Sequence, residues 1–124
     1  TRVGVRTTVE AQTWSVFVGR ASRQEYSAFL IGWGSNPDGS HPLRNIIATY
    51  SRERGWGASN RGRYSNPEVD ALLERSNTEM DGEKREQMVI AAMRMAMGDV
   101  AVVPLHIQTN IWAARRGFQH TART

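Results

Sequence analysis

The stretch Asn60-Arg-Gly-Arg-Tyr-Ser-Asn-Pro-Glu-Val-Asp-Ala-Leu-Leu73 passes from a loop rich in arginine and glycine into a helix. Asn66 is placed to cap that helix and Pro67 to open it, because proline lacks only an N–H that the first turn would leave unpaired anyway. Val69, Leu72 and Leu73 then supply its apolar face. Upstream, residues 51–63 carry Gly55, Gly57 and Gly62 among four arginines and read as the least structured part of the chain.

Working outward, Asp81 is the expected cap of a second helix, with Glu83 favourable beside its positive end. Met88, Ala91, Ala92, Met95 and Met97 give it a soft apolar face, and Gly98 is the expected left-handed stop. Beyond it, residues 100–108 and 110–114 are strand candidates, and Pro104 confines the first to an edge or a bulge. Toward the other end, Val3, Val5, Thr7 and Val9 alternate with polar or small residues, the period of a half-buried strand. Thr13 can cap a helix whose stripe is Trp14, Phe17, Val18 and Ala21, and which should end near Arg23 and Gln24. Residues 27–33 read as a buried strand, 34–42 as a loop and 43–49 as a brief helix with Leu43, Ile46 and Ile47 inward. This order of elements predicts a mixed α/β fold, α+β in its layering, as a single domain over residues 1–124.

Composition narrows the function. At 40% hydrophobic and 23% charged, the chain has the make-up of a globular domain. The absence of cysteine excludes disulfides, thiolate nucleophiles and cysteine-based zinc sites. No apolar run approaches the roughly 18 residues that suggest a membrane span. The net charge of +4 bears on solubility and partners, not on fold. The start, without Met and without a signal-type apolar segment, reads as that of an excised piece or a mature chain cut at a domain boundary.

Catalytic signatures are weak. His41, His106 and His120 form no metal-ligand spacing, and His106 in an apolar run reads as a strand histidine. Gly32-Trp-Gly-Ser-Asn36 lacks the second glycine of a nucleophile elbow. The acidic residues sit on helix starts and solvated faces, so no cofactor and no metal is implied and a binding protein is expected rather than an enzyme. Trp33, by contrast, ends a strand-like run and opens a polar loop, a usual way to build a pocket wall, although it can equally plug a core.

Two segments together carry a resemblance. Tyr26-Ser-Ala-Phe-Leu-Ile-Gly-Trp-Gly-Ser35 and the stretch from Asn60 to Leu73 resemble the C-terminal part of extracellular solute-binding proteins of the dipeptide, oligopeptide and nickel class. The order of the neighbouring segments, through the Val-Pro-Leu-His run ending at His106, matches as well, over essentially all of the chain. The resemblance implies the C-terminal lobe of a two-lobed periplasmic-binding-protein-like fold, a mixed sheet flanked by helices. It further implies capture of peptides or other small solutes for ABC permease subunits, closure against the missing N-terminal lobe, and a periplasmic or cell-envelope, extracytoplasmic location.

The same resemblance places ligand contacts at Trp33, Gly34, Ser35, Asn36 and Asp38, with Arg63 or Tyr64 at the rim. Peptide binders of this class carry an aspartate three residues after the tryptophan, paired with the ligand's α-ammonium. Here that position is Asn36, whose neutral amide lacks the charge-assisted contact, and Asp38 is the substitute acid. Tyr64 has a structural reading too, at the helix entry, and Trp56 reads as a mobile aromatic facing the other lobe. A second function reads residues 52–64 as a basic nucleic-acid-binding module with stacking aromatics, against which Glu53 interrupts the charge. A third is an enzyme fragment that pairs His41 with Asp38.

Overall fold

A computed structural model describes residues 4–34, 39–109 and 111–121. Its regular structure is four helices: α1 Trp14–Ser22, α2 Ser40–Ile46, α3 Pro67–Thr78 and α4 Gly82–Gly98. The long pair α3 and α4 packs into an antiparallel hairpin, and α2 lies against α3.

Local chemistry sets the ends of these helices. The Asn66 side chain accepts the Glu68 and Val69 N–H groups at 2.9 and 3.5 Å, with Pro67 in the first turn, which satisfies donors that a helix start leaves orphaned. Asp81 does the same for Glu83 and Lys84 at 3.0 and 3.3 Å. Thr13 holds the N-cap position of α1, but its side chain accepts no capping bond. At the other end of α4, Gly98 is not the left-handed residue. Val100 is, at φ +56°, and the Ala101 N–H reaches back to the Ala96 carbonyl at 3.0 Å while the Val100 N–H reaches Met97 at 3.1 Å. This is a Schellman closure, built on a valine where glycine is usual. Helix α1 ends the same way, with Gln24 at φ +60° and Glu25 N–H bonded to the Arg20 carbonyl.

The core gathers Leu43, Ile47 and Trp56 with Val69 and Leu73 of α3 and Val89, Ala92 and Ala96 of α4. Ala92 and Ala96 are one turn apart and both fully buried, so α4 presents a small-residue ridge to its neighbours. Burying a side chain such as Leu73 contributes about 1.5–3 kcal/mol relative to exposure. Arg44 Nη1 donates to Asn77 Oδ1 at 3.0 Å, tying α2 to the end of α3.

Residues 51–63 are ordered, contrary to the expectation of a loose loop. Ser51 and Trp56 exchange both backbone hydrogen bonds at 3.0 Å around a tight turn with Gly55 at φ +66°. The turn delivers the Trp56 ring into the core at 9% exposure, so this tryptophan is neither mobile nor free to face a partner. A separate aromatic group sits at α1, where Phe17 meets Trp14, Tyr26 and Phe29 with centroids 5.6–5.8 Å apart. Arg20 lies over Tyr26 and pairs with Glu10 and Glu25.

The expected mixed sheet flanked by helices is absent from the described residues, and with it the lobe architecture that the resemblance implied. Their only β pairing is the isolated Ser51–Trp56 bridge. The described parts of the segments 3–10, 27–33, 100–108 and 110–114 form no ladder, and Asn110 lies outside the described residues. The reason is physical. A helix closes its hydrogen bonds within one segment, whereas a strand needs a second segment alongside it. Alternating apolar residues say which face a strand would bury and nothing about whether a partner strand is at hand.

Candidate functional site

The site begins with Asn60, buried and almost fully enclosed. Its amide nitrogen donates to the carbonyls of Ala48 at 3.0 Å, Tyr64 at 2.7 Å and Ile47 at 3.3 Å, while its oxygen accepts the Tyr64 N–H at 3.1 Å. One side chain thus clamps the end of α2 to the approach to α3. Gly57 permits the close packing this requires. At φ +65° it lies so near the facing strand of backbone that a Cβ there would fall 2.6 Å from the Ala48 oxygen and 2.7 Å from Tyr50 Cα.

Next to these residues lies a cleft of about 200 Å³. Tyr50, Gly57, Ala58, Arg61 and Arg63 line it together with Ser22 from the end of α1. Arg63 is held at φ +56° with its guanidinium 5.0 Å from the centroid of the half-exposed Tyr50 ring, a cation–π contact. Arg61 donates from Nη1 to the Ser59 carbonyl at a long 3.4 Å, and its Nε–H is buried with no acceptor. Neither arginine has a carboxylate partner among the described residues.

Immediately beside the cleft, the Tyr64 hydroxyl donates to Asp99 at 2.6 Å, and the Asn66 amide donates to the same oxygen at 2.9 Å. Burial first, and the neighbouring Asp99 carboxylate second, push the Tyr64 phenol up to about 12. The same hydrogen bonds, from Tyr64 and then Asn66, hold Asp99 below the usual carboxylate range.

Comparison with known proteins gives one informative match. Over 110 residues, which is 89% of this chain and 19% of the other, the sequence is 27% identical to the oligopeptide-binding protein OppA of Bacillus subtilis (strain 168). The chain is similar, along nearly its whole length, to about a fifth of a peptide-binding protein. No family model matches the chain, and no solved structure matches it.

Against this background the expected site residues separate. Arg63 lines the cleft, and Tyr64 adjoins it with its hydroxyl and backbone committed to Asp99 and Asn60. Trp33, 39% exposed, and Gly34 are at the surface, and no hydrogen bond or ring contact joins them to Arg63 or Tyr64. Ser35, Asn36 and Asp38 lie outside the described residues, as does the acid of the His41–Asp38 pairing. His41 itself is within 3.2 Å of the Asn45 amide, and His106 is exposed, not enclosed in a strand.

Tyr50, Ser22 and Arg61 were not singled out as ligand contacts from sequence. The density of arginine and aromatic residues in 50–64 was the available signal, and it pointed toward nucleic acid. With Trp56 in the core and Arg54 over its ring at 5.3 Å and 3.7 Å from Glu74, that stretch lacks its expected stacking platform.

Proposed function

We propose that this chain is part of an extracytoplasmic substrate-binding protein that captures peptides and delivers them to an ABC permease, holding the ligand without altering it. The observation that carries the reading is the 27% identity spread over 89% of the chain to an oligopeptide-binding protein. A match over 110 residues is longer than any one short motif, and it supports the reading that the Gly-Trp segment, the Asn-Pro helix start and the Val-Pro-Leu-His run belong together.

A second observation supports it. Leu30, Leu105, Ile107, Ile111 and Trp112 are all more than half exposed, Ile107 at 95%. Large apolar side chains left this exposed are suited to being covered by a further surface. In this reading the remainder of a longer polypeptide covers them and supplies the other ligand contacts, and Trp33 with the loop after it faces the cargo.

Calorimetric titration of the longer protein with a panel of peptides tests the proposal. Oligopeptide binding near micromolar Kd is expected, with the 124-residue chain alone about 100-fold weaker because it holds only part of the contacts. Equal affinity of the isolated chain, or no peptide binding by the longer protein, overturns it.

A further inference from the structure

The cleft lined by Tyr50, Arg61 and Arg63 has a chemistry of its own, independent of the transport reading. Several of the backbone donors around it are already committed. The Gly57 N–H goes to the Arg44 carbonyl, Ser59 to Asn45, Asn60 to Gly57 and Arg61 to Ser59. The Asn60 side chain is likewise used up. The side-chain donors that line it are the guanidinium groups of Arg61 and Arg63 and the hydroxyls of Ser22 and Tyr50.

That donor set selects a ligand. Two guanidinium groups without carboxylate partners select an anion, since the planar fork of arginine matches two oxygens on one centre. Phosphate sites are typically built from a run of free backbone N–H groups at a loop or helix start, and here the Gly57, Asn60 and Arg61 N–H groups are spent on backbone carbonyls. The Tyr50 ring and Ala58 offer apolar surface for the carbon skeleton attached to the anion, which a bare inorganic ion would leave unused. A volume of about 200 Å³ accommodates one acidic group with a short skeleton and no more.

We propose that this cleft is a carboxylate-binding site, in which Arg61 and Arg63 hold the carboxylate of a small organic acid or of a peptide and Tyr50 packs against the carbon next to it. Arg63 is kept in position for the carboxylate by the Tyr50 ring and by the left-handed backbone at Arg63 itself.

The test uses the nitrogen-15-labelled chain and nuclear magnetic resonance. Acetyl-glycyl-glycine, its C-terminal amide, succinate and inorganic phosphate are titrated separately. The Arg61 Nε–H and the backbone amides of Ala58 and Gly62 are followed. A saturable shift with acetyl-glycyl-glycine is expected, and an affinity about tenfold or more lower for the amide, which has lost the charge. Arg63→Gln should weaken the carboxylate by about the same factor while amides in α3 and α4 stay in place. Succinate binding more tightly than acetyl-glycyl-glycine assigns the site to free organic acids, and the reverse order assigns it to peptide C-termini. Either order supports a carboxylate site. Equal response to acid and amide, shifts that rise linearly without saturating, or phosphate binding tighter than both acids would overturn it. The comparison of acid with amide needs no variant, so it stands even where Arg63→Gln disturbs folding. Because it is read on this chain, it stays decisive whether or not the longer protein carries peptides.

Discussion

The Tyr64 hydroxyl and the Asp99 carboxylate meet at 2.6 Å across 35 residues of sequence, joining the entry of α3 to the exit of α4. The Asn66 amide, whose oxygen caps α3, donates to the same carboxylate oxygen, so one acid fastens both ends of the helical hairpin. The arrangement is asymmetric in pH, because one partner must stay protonated and the other ionised.

Raising the pH should undo it first at Tyr64. Its phenol titrates near 10.0 when unfolded and about 12 when folded, so the contribution is complete below pH 10 and is lost as the pH climbs toward 12. Thermal melts from pH 9 to pH 12 should show this loss, and Tyr64→Phe should flatten it at a cost of about 1 kcal/mol at neutral pH.

Lowering the pH acts through Asp99. Its pKa is depressed from 3.8, so its contribution is present above that value and disappears as the pH falls through the lower folded value. Asp99→Asn should remove this part of the acid sensitivity in melts between pH 5 and pH 2, since the amide has no proton to gain there.

Val100 should be improvable. A β-branched residue at φ +56° is strained in the left-handed region, and this one is 67% exposed, with little packing to lose. Val100→Gly should stabilise the chain by about 1 kcal/mol, read as a rise in the denaturant midpoint at unchanged slope. A fall in the midpoint would show that packing by the valine outweighs its strain.

Gly57 should tolerate no side chain. The added Cβ of Gly57→Ala would meet the Ala48 oxygen at 2.6 Å on a backbone at φ +65°, and backbone atoms cannot swing aside as a flexible side chain does. A loss of about 2–3 kcal/mol or more is expected, with the shape of the cleft lost too. Ala58, next to it and exposed, should accept Ala58→Ser within about 0.5 kcal/mol.

At the core, Leu73→Ala should cost about 2–5 kcal/mol, because Leu73 is fully enclosed between α2, α3 and α4 and the cavity left behind cannot collapse completely. Denaturant unfolding measures it, and a loss under 1 kcal/mol would mean the helices repack around the gap.

The helices were legible because their signals are local. Asn66, Pro67 and Asp81 announce the starts of α3 and α4 within four residues of chain, and the apolar spacing of Val69 and Leu73 marks the buried face. Helix α4 does end at Gly98, but the left-handed residue was misplaced by two positions, since composition favours Gly98 while the backbone turns at Val100. The sequence singled out Arg63 but not Tyr50 or Arg61, because nothing short of the Asn60 clamp and the Gly57 close approach brings residues 50 and 61 to one cleft.

By itself, then, the sequence determined where α1, α3 and α4 begin, which face of α3 turns inward, and that cysteine chemistry is excluded, all properties set within a few residues by capping, periodicity and composition. Helix α2, by contrast, starts at Ser40, inside the expected loop. Only the tertiary structure decided that the alternating segments remain unpaired, that Trp56 is core rather than surface, and that two arginines share a cleft with Tyr50. Those outcomes depend on which distant segments meet. A hydrogen-bond ladder, a buried ring and a cluster of donors each need partners that local pattern cannot supply.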